Sequence, residues 1–262
     1  MNPDVIRERL AVVRGRIAQA ARRAGRDPTS VRLVAVSKTF SADDVRAAAA
    51  AGQLDFGENK VQEALQKMDA LHTMDAMDAT VGRELRWHLI GHLQSNKAKK
   101  AGARFDVVHS VDTVDILNRL DDAAVAAKRR VDALVQVDLA GESTKHGAHE
   151  EELAAIFEAA RTMVGVRMRG LMLLPPAVAE PEDARPYFRA LQDVRRRLVG
   201  LGVDGSLLAE LSMGMSHDFE VAVEEGATIV RIGSAIFGPR PAADDSGPET
   251  QKHRDEPERE RA

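Results

Sequence analysis

The chain has 262 residues, a formal net charge of -4, 44% hydrophobic and 30% charged residues, and no cysteine. That length suits one large α/β domain or two small ones. The charge gives no global field for nucleic acid, and the missing thiols exclude disulfides, cysteine-ligated zinc, iron–sulfur clusters and thiol catalysis.

Aromatic residues make up only 3%, so the core has to come from Val, Leu, Ile, Ala and Met. The opening MNPDVIRERLAVV carries acids and no unbroken apolar core, unlike a signal peptide. No run approaches the about 20 apolar residues of a membrane span. A cytoplasmic protein is expected.

In chain order, Asn2 and Pro3 form a helix start, and Val5, Ile6, Leu10, Val13 and Ile17 recur at helical spacing until Gly25. VRLVAVSK (31–38) reads as a strand, and SADDVRAAAAAG (41–52) as a helix capped by Ser41 and stopped by Gly52. LDFGEN (54–59) is a strand and turn, VQEALQKM (61–68) a helix, and 69–84 an extended loop. LRWHLIG (85–91) is a strand, SNKAKKAG (95–102) a short helix, and FDVVHSVD (105–112) a strand before the helix 113–128. Strands then follow at 133–140, 166–174, 208–214 and 228–238, separated by helices at 150–163, 181–200 and 216–226. From Pro239 to Ala262 the chain is charged and nearly free of large apolar side chains, so a disordered tail is expected.

Eight strands alternating with helices imply right-handed βαβ units and a parallel sheet. In this length they predict a single (β/α)8 TIM barrel over residues 1–238, with an extra N-terminal helix. A doubly wound sheet is the rival, but no GxGxxG follows the first strand.

In such a barrel the strand C-termini build the active site. Lys38 is the only lysine at any of them. An apolar mouth lowers the pKa of an amine, and the neutral form can make a Schiff base with a carbonyl. A lysine snorkelling at the strand edge is the alternative. SMGMSHDFE (212–220) and VRIGSAIFG (230–238) put two small-residue turns at the seventh and eighth strand ends, where barrels commonly bind phosphate. Ser216 there reads as a helix N-cap whose free N–H groups attract an anion. Arg231 either contacts a ligand from the barrel floor or pairs with an acid such as Glu210. The histidines of HLIGH, His88 and His92, lie on strand and turn without the HExxH pattern, so no metal is expected. GESTKHG (141–147) lacks P-loop spacing, and SNKAKK (95–100) reads most simply as a wet helix face.

A Schiff-base lysine facing a phosphate site suggests pyridoxal 5′-phosphate, with a sugar-phosphate aldolase as an alternative layout. Such an aldolase would need an acid–base partner near Lys38, a place Glu58 or Asp138 could fill.

LVAVSKTF (33–40), DFGENKVQE (55–63), WHLIGHLQSNK (87–97), VHSVD (108–112), RGLMLLPP (169–176) and 211–238 together resemble the YggS/PROSC family of pyridoxal-phosphate homeostasis proteins. The resemblance covers about residues 5–238; the 69–84 segment and the tail depart from it. It implies a barrel like the N-terminal domain of alanine racemase, with the cofactor held covalently on Lys38. It further implies that Ser216, Gly233 and Ser234 hold the phosphate with Met215 nearby, that Arg231 approaches the pyridine nitrogen, and that Asn59 and His88 line the ring. An arginine in that position would not keep the nitrogen protonated, so the ring would be a weaker electron sink. The implied role is cofactor buffering or delivery without efficient catalysis, affecting amino-acid and keto-acid metabolism, with transient contact to pyridoxal-phosphate-dependent apoenzymes and a monomeric state. Weak amino-acid racemisation is the alternative. A two-base racemase takes its second base, a tyrosine, from a further domain of the partner chain. The one tyrosine here, Tyr187, falls in the helix after the sixth strand.

Overall fold

The computed structural model describes residues 2–75, 85–139 and 146–239. Most of the expected tail and part of the 69–84 segment lie outside these residues. Eight parallel strands close into a barrel in sequence order: β1 Arg32–Val36, β2 Asp55–Glu58, β3 Arg86–Leu89, β4 Val107–Val111, β5 Val131–Val137, β6 Val166–Leu173, β7 Glu210–Ser212 and β8 Ile229–Ile232. β8 returns to pair with β1, Val34 opposite Arg231. No edge is left to pair with another chain.

The helices wrap the outside as α1 Pro3–Arg23, α2 Ala42–Ala50, α3 Val61–Asp75, α4 Ala98–Arg104, α5 Val114–Ala126, α6 Glu150–Ala160, α7 Arg185–Gly200, α8 Phe219–Glu224 and α9 Ser234–Phe237. Their starts follow the sequence signals. Asn2 caps α1 with Pro3 behind it, and Ser41 with Asp44 forms a capping box on α2. The amphipathic stripe of α1 buries Ile6, Leu10, Val13 and Ile17, each contributing about 1.5–3 kcal/mol of hydrophobic stabilisation. Arg16 ties α1 to α8 through Glu220 at 2.7 Å and lies over the Phe219 ring. Among the described residues, no helix is long and apolar enough to cross a membrane.

Three expected boundaries shift. The helix expected to stop at Met68 continues to Asp75, so the segment 69–75 is helix rather than loop. Its buried stripe of Val61, Ala64 and Met68 goes on to Leu71, which is also buried. The last strand ends at Ile232, and the Gly233 turn leads into α9. The helix expected from Ser216 starts only at Phe219, with Asp218 in the cap position.

Successive strand residues point to opposite faces. One parity of each strand packs outward under the helices, and the other fills the barrel. Val34, Val107, Leu134, Met172 and Ile229 form an apolar cluster of their own inside it, as the layered filling of such barrels requires. At the crossing of β6 and β7 only glycine fits, because a Cβ on Gly170 would come within 1.8 Å of Glu210 O. The inward-facing positions nearest the strand C-termini mix apolar Val36, Ile90 and Leu174 with polar Gln136 and Arg231. They make the site.

Candidate functional site

The inward parity of β1 carries Val34, then Val36, then Lys38. Lys38 emerges just beyond the strand, in a tight turn. Ser37 N–H donates to Gly57 O at 3.0 Å, and Phe40 N–H closes the turn on Ser37 O at 3.0 Å. Thr39 lies inside the turn at φ 68°, a left-handed conformation unusual for a β-branched residue. Its N–H donates to Glu63 Oε1 at 2.7 Å.

Beneath this turn lies a buried ion pair. Lys67 Nζ sits 2.5 Å from Glu58 Oε1 and donates to Ser37 O at 2.7 Å. Ser37 Oγ donates to the same Glu58 oxygen at 2.6 Å. Burial pushes the Glu58 carboxyl up, against the pull of Lys67. Glu58 Oε2 has no hydrogen-bond partner among the described residues. The lysine on α3 thus pins the backbone next to Lys38 from below.

At the adjoining end of the barrel closure, where β8 pairs with β1, Gly214 turns the chain at φ +92° after β7. Met215 N–H donates to Asp218 Oδ1 at 2.6 Å. Ser216 Oγ accepts from Gly233 N–H at 3.3 Å and from Ala235 N–H at 3.4 Å. The expected N-cap role therefore belongs elsewhere: Ser216 joins the two small-residue turns to each other. Having accepted twice, its hydroxyl still has its own proton to donate.

Arg231, on β8 beside Val34 of β1, lies on the cavity floor and is 2% exposed. Its Nη1 donates to Ser212 Oγ at 2.6 Å and its Nη2 to Leu173 O at 2.8 Å. Burial pushes its pKa down to about 10, with Asp218 acting in the opposite direction, so it stays charged at neutral pH. The suggested partner Glu210 instead accepts from Thr228 Oγ1 at 2.6 Å and lies near Arg32 and Arg169.

The polar chain continues below Arg231. Ser212 Oγ meets His109 Nδ1 at 2.8 Å, His109 Nε2 meets His88 Nδ1 at 2.9 Å, and His88 Nε2 meets Asp55 Oδ1 at 2.9 Å. The Asp55 carboxylate can only accept, so the order is set from that end: His88 donates to Asp55 and accepts from His109, which accepts in turn from Ser212 Oγ at Nδ1. His109 then carries its proton on Nε2, and His88 carries its own on Nε2 toward Asp55. Both imidazoles are neutral in this arrangement. Burial, the largest cause in each case, lowers both their pKa values, that of His109 well below the ordinary range.

Above the floor opens a cavity of about 490 Å³ at the C-terminal ends of the strands, within the ordinary size range of small-molecule sites. Lys38, Asn59, Arg231 and the group Met215, Ser216, Gly233 and Ser234 all line it. His88 does not reach its wall: it is fully buried one layer lower, in contact with His109. Sequence reasoning did not single out Gln136 and His146, which also line the cavity, and weighed His92 only as a metal ligand. The signal for Gln136 was inward parity on β5 and for His92 its place just past β3. Neither Glu58 nor Asp138 lines it, and Glu58 is already committed to Lys67, so neither stands as the acid–base partner of an aldolase. Tyr187 packs against the core on α7.

The donor set suits one particular ligand shape. An amine stands at the β1 end, tied small-residue turns with a hydroxyl stand at the adjoining β7 and β8 ends, and a fixed cation lies on the floor of the same cavity. A ligand carrying a carbonyl and a phosphate at opposite ends of a flat ring matches this arrangement. Fold and cavity define a ligand-binding (β/α)8 barrel with a lysine at its first strand end.

Residues 9–241 match the family of the alanine racemase N-terminal domain. A pyridoxal phosphate homeostasis protein of Pseudomonas aeruginosa is 44% identical over 237 residues, covering 90% of this chain and 96% of the relative. One from Aquifex aeolicus is 42% identical over 233 residues, covering 89% and 97%. The solved structure of PipY from Synechococcus elongatus with pyridoxal phosphate bound is 38% identical, with a TM-score of 0.76, and covers 89% of this chain and all of that one. The chain belongs to the alanine racemase N-terminal domain family, among the pyridoxal phosphate homeostasis proteins.

Proposed function

We propose that this protein holds pyridoxal 5′-phosphate in the cavity, covalently as a Schiff base of Lys38, and buffers or delivers it in the cytoplasm as a monomer. One observation carries the reading. Lys38 and the tied turns at Ser216 and Gly233–Ser234 face one cavity over the fixed charge of Arg231. The relative solved with pyridoxal phosphate supports it. Bound there, the cofactor supplies an aldehyde that exchanges between amines.

The chain's own residues do the rest. Lys38 Nζ would be the amine that holds the aldehyde end of the cofactor covalently. The turn that the Lys67–Glu58 pair supports from below fixes where that nitrogen stands. Ser216 Oγ would donate its own proton to the phosphate, with the Gly233–Ser234 turn bordering the same anion. Arg231, held by Ser212 and Leu173, would present a cation to the ring nitrogen and so keep a proton off it. Asn59 and Met215 border the ring and the phosphate end, respectively. His88 acts from beneath as a support for Arg231 rather than as a wall of the ring.

Buffering is favoured over racemisation because proton exchange on both faces of a substrate needs a second base opposite Lys38. The chain's only tyrosine is on α7, packed against the core. Residues 1–238 are proposed to act as one functional unit. The test is transfer. Protein loaded with pyridoxal phosphate is mixed with an apo-transaminase, and recovery of transaminase activity is followed beside an amino-acid racemisation assay. Recovery without racemisation is expected. Racemisation that is fast and lost in Lys38→Ala would overturn the reading.

A further inference from the structure

The mouth of the cavity contains a second chemical group that the cofactor reading does not use. Three consecutive strand ends bring it together. His92 lies three residues beyond β3, Asp112 directly follows β4, and His146 stands between β5 and α6. His92 Nδ1 is 3.4 Å from Asp112 Oδ2. The rings of His92 and His146 stack 3.6 Å apart at an interplanar angle of 12°. One ligand atom from each of the three residues lies within 4.8 Å of the others.

We propose that His92, Asp112 and His146 form a binding site for a divalent transition-metal ion, with a coordination position left open toward the cavity. Two imidazoles and one carboxylate are the donor set of borderline metals such as zinc, and three protein ligands with one open position are the pattern of accessible rather than purely structural sites.

The distances fit. Ligand atoms about 2.1 Å from a tetrahedral ion stand about 3.4 Å from one another, which is the His92–Asp112 separation already present. His146 has only to rotate inward, and it is exposed enough to do so.

The donor chemistry fits as well: two imidazole nitrogens and one carboxylate oxygen converge on one point, a neutral-plus-anionic set suited to a dication.

The site is not the histidine pair that the HLIGH stretch suggests by spacing. His88 of that pair points into the barrel toward Asp55 and His109, while His92 points to the mouth. The ligand set becomes visible only when β3, β4 and β5 are side by side.

The proposal stands on these three side chains and does not depend on what the cavity binds. It does predict linkage, because His92 and His146 line the cavity that Lys38 also lines.

The test is calorimetric titration of the untagged full-length protein with zinc chloride, without pyridoxal phosphate. One equivalent is expected to bind with a Kd in the micromolar range or tighter. His92→Ala, Asp112→Asn and His146→Ala should each weaken that binding by tenfold or more, and His149→Ala, an exposed neighbour, should leave it unchanged. Cobalt(II) substitution gives a second readout, with the intense visible bands of a four-coordinate ion in the wild type and their loss in His146→Ala. Because His146 is exposed, that variant folds whether or not the site exists. The proposal is overturned if wild type binds no zinc, or if any of the three variants keeps wild-type affinity.

Discussion

Arg231 donates to Ser212 Oγ at 2.6 Å, and Ser212 stands at the head of a hydrogen-bonded chain that ends on Asp55. The Asp55 carboxylate can only accept, so with both imidazoles neutral His88 donates to Asp55, His109 to His88, and Ser212 to His109. A positive guanidinium at the cavity floor is thereby linked through two neutral imidazoles to a carboxylate near the opposite end of the barrel. The arginine's own bonds go to neutral acceptors, so its charge remains directed at whatever fills the cavity.

Cutting this chain in the middle is costly. Ser212→Ala leaves both an Arg231 N–H and His109 Nδ1 without their buried partner, and each orphaned group costs about 1–3 kcal/mol. The thermal midpoint should fall by several degrees, at about 2–4 °C per kcal/mol for a chain of this size. An unchanged midpoint in differential scanning calorimetry would mean that the chain does not bear on stability.

Acid should weaken the fold through the same two histidines. Their folded pKa values lie below the unfolded value of about 6.5, so the unfolded chain binds more protons as pH falls through and below that value. Stability is therefore fully present above about pH 6.5 and declines below it, by at most about 1.4 kcal/mol per pH unit for each histidine. Urea midpoints measured between pH 7.5 and 5 should show the decline. His109→Gln should flatten the slope by one proton.

The Lys67–Glu58 pair offers a different balance. Lys67→Met strands a buried carboxylate and should cost about 3–5 kcal/mol. Adding Glu58→Gln removes the stranded charge, so the double variant should recover most of that loss. A double-mutant cycle by urea denaturation measures the coupling. Strict additivity would contradict a direct pair.

Thr39 holds a left-handed conformation for the sake of the Lys38 turn. Asparagine adopts that conformation more readily than a β-branched residue. Thr39→Asn should stabilise the protein by about 0.5–1 kcal/mol, since backbone strain of this kind is worth about 1–3 kcal/mol. The backbone N–H to Glu63 survives the change. A destabilised variant would show that the threonine side chain makes a contact worth more than the strain.

The barrel was legible because its signals are local. The parity of Val34, Val36 and Lys38, the Ser41 cap and the strand–helix rhythm are all written within a few residues of one another. What was not legible is depth. His88 and Ile90 share a parity, but β3 pairs His88 with Val107 of β4, and that register places the imidazole one layer below the cavity. Register follows from barrel closure, which no short stretch records. The same holds for His109 and Ser212, bonded across 103 positions of sequence. The extra two turns of α3 were a smaller miss: Leu71 continues the stripe, but the Met- and Asp-rich composition around it hides the period. Ser216 lines the cavity, but its hydroxyl bonds the next strand's turn rather than capping its own helix, a partner that no local pattern announces.

The central claim is that Lys38 carries pyridoxal phosphate, and trapping tests it most directly. The protein is loaded with the cofactor, its visible absorption recorded, borohydride added, and the reduced adduct located by peptide mass spectrometry. The expected result is a visible band that bleaches on reduction, leaving a pyridoxyl group on Lys38, with neither band nor adduct at that position in Lys38→Ala. No band after loading, or an adduct on another lysine with Lys38 unmodified, would contradict it.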